Sequence, residues 1–219
     1  MKAGNAIMNP SETILELLPA DREELLSALR SLVNQGVELD IRTGGTVMEF
    51  LKEQLGLAPD YVENRIQTVF LNGKPVDRMD HAALREGSVL GLSAALPGLL
   101  GASLRMAGPY SSLRSTITYH DEDSGPSGSP GSGRITLKAF NVLLPEITPV
   151  LAERGFLVKR PLLAGWLKRE AERIKRSVAA AELDGEPAAP GELHLRSWEG
   201  PGEVMLRMKQ KGAEGPALD

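Results

Sequence analysis

The chain has 219 residues, of which 42% are hydrophobic and 25% are charged, values typical of a globular protein of one or two domains. The absence of cysteine excludes disulfides, thiolate metal sites, iron–sulfur clusters and cysteine nucleophiles. The formal net charge of −4 gives no bulk attraction to nucleic acid or anionic lipid, so any such binding requires a local basic patch.

The N-terminus lacks the features of a secretion signal, because residues 1–10 contain one lysine and no apolar run. The cysteine-free composition also fits a reducing compartment, and we therefore expect a cytoplasmic protein. The run from Val89 to Leu104 has no charged residue, but it is shorter than the roughly 20 residues of a spanning helix and is interrupted by glycine and proline. We expect no membrane span.

The first elements alternate between strand and helix. Residues 13–18 fit either a strand or a helical turn. A helix is predicted to begin at Asp21, because Glu24 follows three residues later as in a capping box, and Gly36 is suited to end it. Residues 37–42 alternate between apolar and polar side chains, which predicts a half-buried strand.

A second helix and a hairpin follow. Thr46 and Glu49 form another capping box, and the apolar spacing predicts a helix that reaches Leu55. The run 66–71 is rich in strand-forming residues and precedes Asn72-Gly73, a strong hairpin signal because both residue types tolerate positive φ. Further strands are predicted at 88–92 and 115–119.

A stretch made almost wholly of Ser, Gly and Pro runs from residue 124 to residue 133. Such a composition buries too little apolar surface to offset the entropy of ordering it, which predicts a flexible linker. We therefore predict a domain at 1–120, a linker at 121–134, a second domain at 135–210 and a frayed tail at 211–219. The alternative is one domain in which this stretch is a long hairpin loop and Tyr119 and Ile135 lie on paired strands.

The second half has the pattern of a smaller α/β unit. A strand is predicted at 135–143, a short helix at 145–154 and a longer helix from 161 to about 181. The alternating runs 192–198 and 203–208 flank a Gly-Pro-Gly turn, which predicts a hairpin. No internal repeat is visible in the sequence.

Residues 37–94 combine a strand, a helix, the run TVFLNGKPV at 68–76 and the run LREGSVLGL at 84–92. This combination resembles the ubiquitin-like β-grasp fold in its bacterial sulfur-carrier branch, which includes the small subunit of molybdopterin synthase and the thiamine-biosynthesis carrier. The resemblance implies a β-grasp sheet with packed helices in the N-terminal half and a role in binding other proteins.

Sulfur transfer is not part of what the resemblance implies. The carriers end in a free Gly-Gly carboxylate, whereas here the chain continues from Ser93 through Ala102 and ends at Asp219. The internal Gly44-Gly45 precedes a helix and reads as a turn. A processed, degenerate relative of the carriers in a cofactor pathway stays open as an alternative function.

The segment 105–116 offers a candidate anion site. It contains Arg105, Ser111, Ser112 and Arg114, and guanidinium forks with hydroxyls and turn N–H groups can bind a phosphate or carboxylate. An enzyme acting on a small anionic substrate at this site is therefore a further hypothesis. The other interpretation is an ordinary loop with solvated arginines.

The uncharged run 94–102 offers a candidate interface. If it is exposed, Leu96, Pro97, Leu99 and Leu100 form an apolar patch of the kind that marks interaction sites. A buried run that connects the sheet to the core is the other interpretation, and the one that its composition favours.

A basic face is predicted on the helix after Pro161, formed by Lys168, Arg169, Arg173 and Arg176. Such a face can bind a membrane interface or an acidic partner, and a packed helix with a solvated basic side gives the same pattern.

The cluster His120, Asp121, Glu122 and Asp123 has metal-ligating side chains, but adjacent residues of an extended linker point in different directions, so we expect no metal site. No cofactor motif or catalytic constellation is recognisable. We expect an α+β protein with a β-grasp-like N-terminal sheet, acting as a non-catalytic protein-binding or scaffolding module. Its expected partner is an unidentified protein or a second copy of the chain, and nucleic acid is not expected.

Overall fold

The computed structural model describes residues 13–106, 108–114, 117–119 and 131–210, without the side chains of Leu100, Ser112 and Leu113. This part of the chain is a mixed α/β structure. Its strands are β1 (Thr13–Pro19), β2 (Val37–Thr43), β3 (Thr68–Leu71), β4 (Lys74–Pro75), β5 (Val89–Ser93), β6 (Gly131–Ala139), β7 (Phe156–Lys159), β8 (Val178–Leu183), β9 (Glu186–Ala188) and β10 (Glu203–Met208). Its α-helices are α1 (Arg22–Gln35), α2 (Val47–Glu49), α3 (Gly98–Leu104), α4 (Leu143–Arg154), α5 (Arg160–Arg169) and α6 (Ala171–Ser177).

The residue contacts divide the chain into two compact units. Unit A holds the described residues between 33 and 147, and unit B holds residues 13–32 together with 148–210. None of the helices in the described residues combines the length and the hydrophobicity that crossing a bilayer requires.

The sheet of unit A has the strand order β4-β3-β5-β6-β2. The pairs β4–β3, β3–β5 and β6–β2 are antiparallel, and the pair β5–β6 is parallel. Strand β6 therefore lies between β5 and β2, and residues 37–94 do not form a continuous sheet without it.

The position of β6 differs from the predicted domain division. The strand begins at Gly131, inside the predicted linker 121–134, and its first residues pair with the end of β2, Gly131 being in register with Thr43. A Cβ atom on Gly133 would lie 2.6 Å from Glu86 Oε2 and from Thr43 Cγ2. The small residues at 131–133 therefore allow a close approach of neighbouring chain segments within the sheet of unit A, and β6 is not the first strand of a separate domain at 135–210.

The Asn72-Gly73 corner forms as predicted. Asn72 and Gly73 have φ values of 52° and 80° and join β3 to β4 with Leu71 in register with Lys74. Strand β4 ends at Pro75, whose carbonyl accepts a hydrogen bond of 2.8 Å from Tyr119 N–H. The short edge strand is thus bonded to the described residues 117–119.

The strand predicted at 115–119 is wrong for residues 117–119, which form a turn, while residues 115 and 116 lie outside the described residues. Ile117 N–H and Thr118 N–H both donate to the carbonyl of Arg114, at 2.9 and 3.1 Å. These local bonds, made to the last residue of the 3₁₀ turn Ser111–Arg114, take the N–H groups that a sheet would need.

The helix of unit A begins where the sequence predicts. Thr46 Oγ1 accepts from Glu49 N–H at 3.2 Å, and Glu49 Oε2 accepts from Thr46 N–H at 2.8 Å, which completes the capping box. The helix continues as a π-helical turn over Phe50–Gln54, and Phe50 and Leu51 are fully buried. This segment supplies the helical layer of the unit A core.

The sheet of unit B has the strand order β7-β10-β1-β8-β9. The pairs β7–β10, β1–β8 and β8–β9 are antiparallel, and the pair β10–β1 is parallel. The residues 13–18 are therefore part of a strand. The predicted hairpin of 192–198 with 203–208 is wrong, because Pro190–Leu195 forms a 3₁₀ turn and β10 pairs with β7 and β1.

The helices of unit B pack through buried side chains. Asp21 Oδ1 accepts from Glu24 N–H at 3.0 Å at the start of α1, and Trp166 of α5 donates its indole N–H to the carbonyl of Ala28 at 3.1 Å. The predicted long helix 161–181 is divided at Glu170 into α5 and α6, and it ends at Ser177, where β8 begins.

The sheets of the two units have the same order of parallel and antiparallel strand pairs. Read from β4 in unit A and from β9 in unit B, neighbouring strands pair antiparallel, antiparallel, parallel and antiparallel. In each unit an outer strand, β2 or β7, leads into helix and then into β3 or β8 and the short strand β4 or β9. The sequence shows no repeat, yet the pairing pattern occurs twice.

The central position of β6 predicts the stability of a matched pair of variants. Leu137 of β6 is fully buried, so we expect Leu137→Ala to lower the free energy of unfolding by about 2–5 kcal/mol. The same change at Leu99, which is 69% exposed, should alter it by less than about 0.5 kcal/mol. Urea denaturation measures both values, and similar small effects at the two positions would contradict a central β6.

Candidate functional site

The segment after β5 brings apolar side chains to the surface of unit A. Pro97 precedes α3 and is exposed, Leu99 is 69% exposed and Leu96 is half-buried. Gly101 is buried, and a Cβ atom there would lie 2.1 Å from the carbonyl oxygen of Leu96. The run 94–102 is therefore neither wholly buried nor wholly exposed, and the glycine allows α3 to fold back against its own entry.

Two further apolar side chains are exposed on the continuation of this segment. Tyr110 is 46% exposed and Ile117 is 55% exposed. Among the described residues, six large hydrophobic side chains are exposed, and three of them lie between residues 99 and 117. We call Leu99, Tyr110 and Ile117 the apolar surface. Scattered single apolar residues are normal on proteins, but this concentration on one segment makes it the candidate functional site.

Arg114 anchors this segment to unit A. Its guanidinium makes two bonds to the Asp77 carboxylate, of 2.6 and 3.2 Å. Its remaining N–H groups donate to Ser103 O at 2.5 Å, Thr118 Oγ1 at 2.8 Å and Arg105 O at 3.3 Å. Arg114 is 4% exposed, so these bonds form in a place from which water is largely excluded. These bonds tie the chain at Ser103 and Arg105 to the chain at Arg114 and Thr118, and tie both to Asp77.

The predicted anion site is changed by this network. A guanidinium has five N–H groups, and the five bonds above use all of them, which leaves none of Arg114 for a ligand. Arg105 is exposed, Ser111 is half-buried, and the side chain of Ser112 lies outside the described residues. Arg114 therefore has a structural role in place of the predicted ligand role, and the enzyme hypothesis loses its principal residue.

The predicted basic face is exposed except for the half-buried Arg173, and its arginines are paired with carboxylates. Arg173 and Arg169 lie 3.0 and 3.6 Å from the carboxylate of Glu170, and Arg176 lies 2.8 Å from that of Glu24. The hydrogen bond to Glu24 raises the pKa of Arg176 above its ordinary value. Lys168 is exposed. Local carboxylates thus neutralise much of this surface, which favours the solvated side of a packed helix.

A polar cluster joins the turn Tyr61–Arg65 to α4 in unit A. Tyr61 donates its hydroxyl to Glu146 Oε2 at 2.9 Å, and Arg65 binds both oxygens of that carboxylate. The Arg65 hydrogen bond holds the pKa of Glu146 below its ordinary value, although partial burial opposes this effect. Burial, followed by the bond to Glu146, raises the pKa of Tyr61. The side chains satisfy one another, which indicates a structural cluster.

The described residues contain no group of three or more His, Cys, Asp or Glu side chains placed to hold a metal ion. The candidate ligands His120, Asp121, Glu122 and Asp123 lie outside those residues. At the place where a sulfur carrier would continue into its free tail, β5 ends at Ser93 and the chain proceeds into α3.

Comparison with known proteins does not assign this chain to a family. No family model, no curated protein and no solved structure matches this chain.

The role of Arg114 predicts different outcomes for two Arg→Lys variants. Lysine has a single ammonium and cannot reproduce the five bonds of Arg114, so Arg114→Lys should lower the free energy of unfolding by about 2–4 kcal/mol. Arg105→Lys alters an exposed side chain and should change it by less than about 0.5 kcal/mol. Chemical denaturation decides between this role and a ligand role, for which Arg114→Lys would leave stability unchanged.

The Glu146 cluster predicts a pH dependence. Because the pKa of Glu146 is lowered in the folded state, its charge stabilises the fold above the unfolded-state value of about 4.3. That stabilisation is lost as the pH falls through the lowered folded-state pKa. Glu146→Gln should therefore lower Tm at pH 7, with the deficit shrinking below pH ~4. Glu53→Gln, at an exposed residue for which the described residues record no ion pair, should show no deficit at either pH.

Proposed function

We propose that unit A is a β-grasp-like domain in which β6 supplies the strand that begins the fold in ordinary chain order. Its strand order and pairing directions support this, with β2 and β6 as the antiparallel hairpin pair and β6 parallel to β5. The helix after β2 and the β3–β4 hairpin occupy the expected places in the chain. The resemblance noted over residues 37–94 thus extends to β6, with the chain order rotated.

The proposed function of this domain is to bind another protein through the apolar surface of Leu99, Tyr110 and Ile117. The observation that carries the proposal is that Leu99 is 69% exposed on a segment that the buried Arg114–Asp77 pair holds in place. Exposing apolar side chains on a fixed segment has no benefit for folding, whereas pre-ordered apolar side chains bind without a large entropy cost.

The charge of the segment indicates the chemistry of the partner. Between Val89 and Tyr119 the sequence contains two arginines and no acidic residue. The charge of Arg114 is neutralised by Asp77, so the exposed charge of this segment belongs to Arg105. The proposed occupant is therefore a protein surface with apolar side chains and a carboxylate that pairs with Arg105.

The edge of the sheet is a less suitable docking place. Strand β4 has two residues, and its second is Pro75, which has no N–H to offer an added strand. The Pro75 carbonyl is already bonded to Tyr119 N–H at 2.8 Å. These features of β4 support binding through side chains of the apolar surface over strand addition.

A crosslinking experiment tests the proposed surface. A photoreactive amino acid placed at residue 99 in the host cell should give a specific adduct, and the same amino acid at Leu195, which is 72% exposed in unit B, should not. The captured protein, once purified, should bind Leu99→Asp at least about 30-fold more weakly than the unaltered chain, while Leu195→Asp should retain full affinity.

A variant of Arg105 tests the expected charge of the partner. Arg105→Gln should weaken binding by about 2–10-fold and reduce its salt dependence, because a rim charge acts chiefly on the association rate. Equal crosslinking at residues 99 and 195, or an affinity unaffected by Leu99→Asp, would refute the proposed surface. An adduct of the chain with itself would identify the partner as a second copy.

A further inference from the structure

The strands of unit B bring several chain segments together at one end of its sheet. Strand β1 begins at Thr13, and the parallel strand β10 begins beside it, with Thr13 in register with Val204. The antiparallel strands β7 and β8 end on the same side. The first residue of α5, the β8–β9 turn and the chain leading into β10 therefore meet there.

A cavity of about 370 Å³ opens at this end of the sheet. Its lining includes Thr13, Arg160, Asp184, Arg196, Ser197 and Trp198, all within unit B. The volume lies in the range of small-molecule sites, and two arginines with two hydroxyls are the groups that such sites use to orient an anion. Nothing in the protein-binding function proposed for unit A uses this cavity.

Arg160 is held in place without using up its guanidinium. Its Nη2 donates to Thr13 Oγ1 at 2.8 Å, and its backbone N–H donates to the carbonyl of Gly202 at 3.1 Å. Within the described residues no other acceptor is recorded for its side chain. One bond fixes the direction of the guanidinium, and its other N–H groups are available to a ligand.

Arg196 and Ser197 are presented by the 3₁₀ turn Pro190–Leu195 and the residues that follow it. The indole N–H of Trp198 donates to the carbonyl of Leu193 at 2.9 Å, and both residues are buried, which ties the chain between them to the core. Arg196 is exposed, and the described residues include no side-chain bond or ion pair to it. Its charge is therefore not neutralised by a neighbour in this part of the structure.

The acidic residue of the lining is bonded to the backbone. Asp184 Oδ1 accepts from Ile14 N–H at 2.7 Å, and Asp184 N–H donates to the carbonyl of Ile14 at 2.9 Å. This arrangement fixes the β8–β9 turn, where Asp184 has a φ of 53°. Two guanidinium groups against one carboxylate leave a charge of +1 in the lining, which favours an anionic ligand.

We propose that this cavity binds a small organic anion, a carboxylate or a phosphate monoester. The anionic group lies between Arg160 and Arg196, with the hydroxyls of Thr13 and Ser197 as further hydrogen-bond groups. The remaining volume beside Trp198 accepts the uncharged part of the molecule.

The test uses the full chain with phenyl phosphate, benzoate and the uncharged benzyl alcohol as probes, in titration calorimetry and in NMR of the tryptophan indole N–H signals. The chain has two tryptophans, so Trp198→Phe assigns the signal of Trp198. We expect at least one of the two anions to bind and to shift this signal, and benzyl alcohol to leave it unchanged. The tighter of the two anions identifies the head group.

Variants of the two arginines test whether the anion binds in this cavity. Arg196→Gln should weaken binding of the anion at least tenfold, and Arg160→Lys, which keeps the charge but loses the fork, should weaken it by a smaller factor. Lys168→Gln removes an exposed cation of unit B outside the cavity and should leave the affinity unchanged. The proposal is overturned if neither anion binds below 10 mM, if benzyl alcohol shifts the signal equally, or if Arg196→Gln binds as the unaltered chain does.

Discussion

The sheet of unit A depends on β6 occupying its centre. Strand β5 finds a parallel partner in β6 and strand β2 finds an antiparallel one, and the two never pair with each other. Without β6 the backbone groups of both strands would lose a full row of hydrogen bonds in a buried sheet. The sheet formed by residues 37–94 thus requires a strand that begins some forty residues after the end of β5. The helix packed on this sheet and the anchored loop after β5 depend on the same strand.

The same constraint explains why the apolar surface can exist. The chain must pass from β5 to β6, and the described part of this connection is held by the buried Arg114 and its carboxylate partner Asp77. A single arginine with five acceptor atoms ties the backbone of the loop at Ser103 and Arg105 to Asp77. The loop can then carry exposed side chains such as Leu99 without collapsing onto them, and a surface ordered in advance is suited to recognition.

Local signals in the sequence were sufficient for the elements that local chemistry determines. The Thr46–Glu49 capping box and the Asn72-Gly73 corner need only neighbours within four residues, and both formed as predicted. The failures were at positions where tertiary contacts decide. Gly133 belongs to a stretch with the composition of a linker but lies in β6 because it pairs with Ile41 of β2, where neighbouring chain segments leave no room for a Cβ atom. Arg114 lies in a segment with the composition of a solvated loop, yet it is buried and paired with the carboxylate of Asp77, 37 residues away. The cavity of unit B joins residues from both ends of the chain, and no short motif reports such a meeting.

The position of β1 has a consequence for biosynthesis. This strand is among the first parts of the described chain to leave the ribosome, but its sheet neighbours β8 and β10 are among the last. Translation at about 5–20 residues per second separates the strand from its partners by roughly ten seconds or more. Throughout that interval the backbone of β1 has no native partner strand. Pairing between strands so far apart in the sequence is also intrinsically slow. The nascent chain thus presents an unpaired hydrophobic strand until β8 and β10 have been synthesised, and exposed strands of this kind are prone to aggregate.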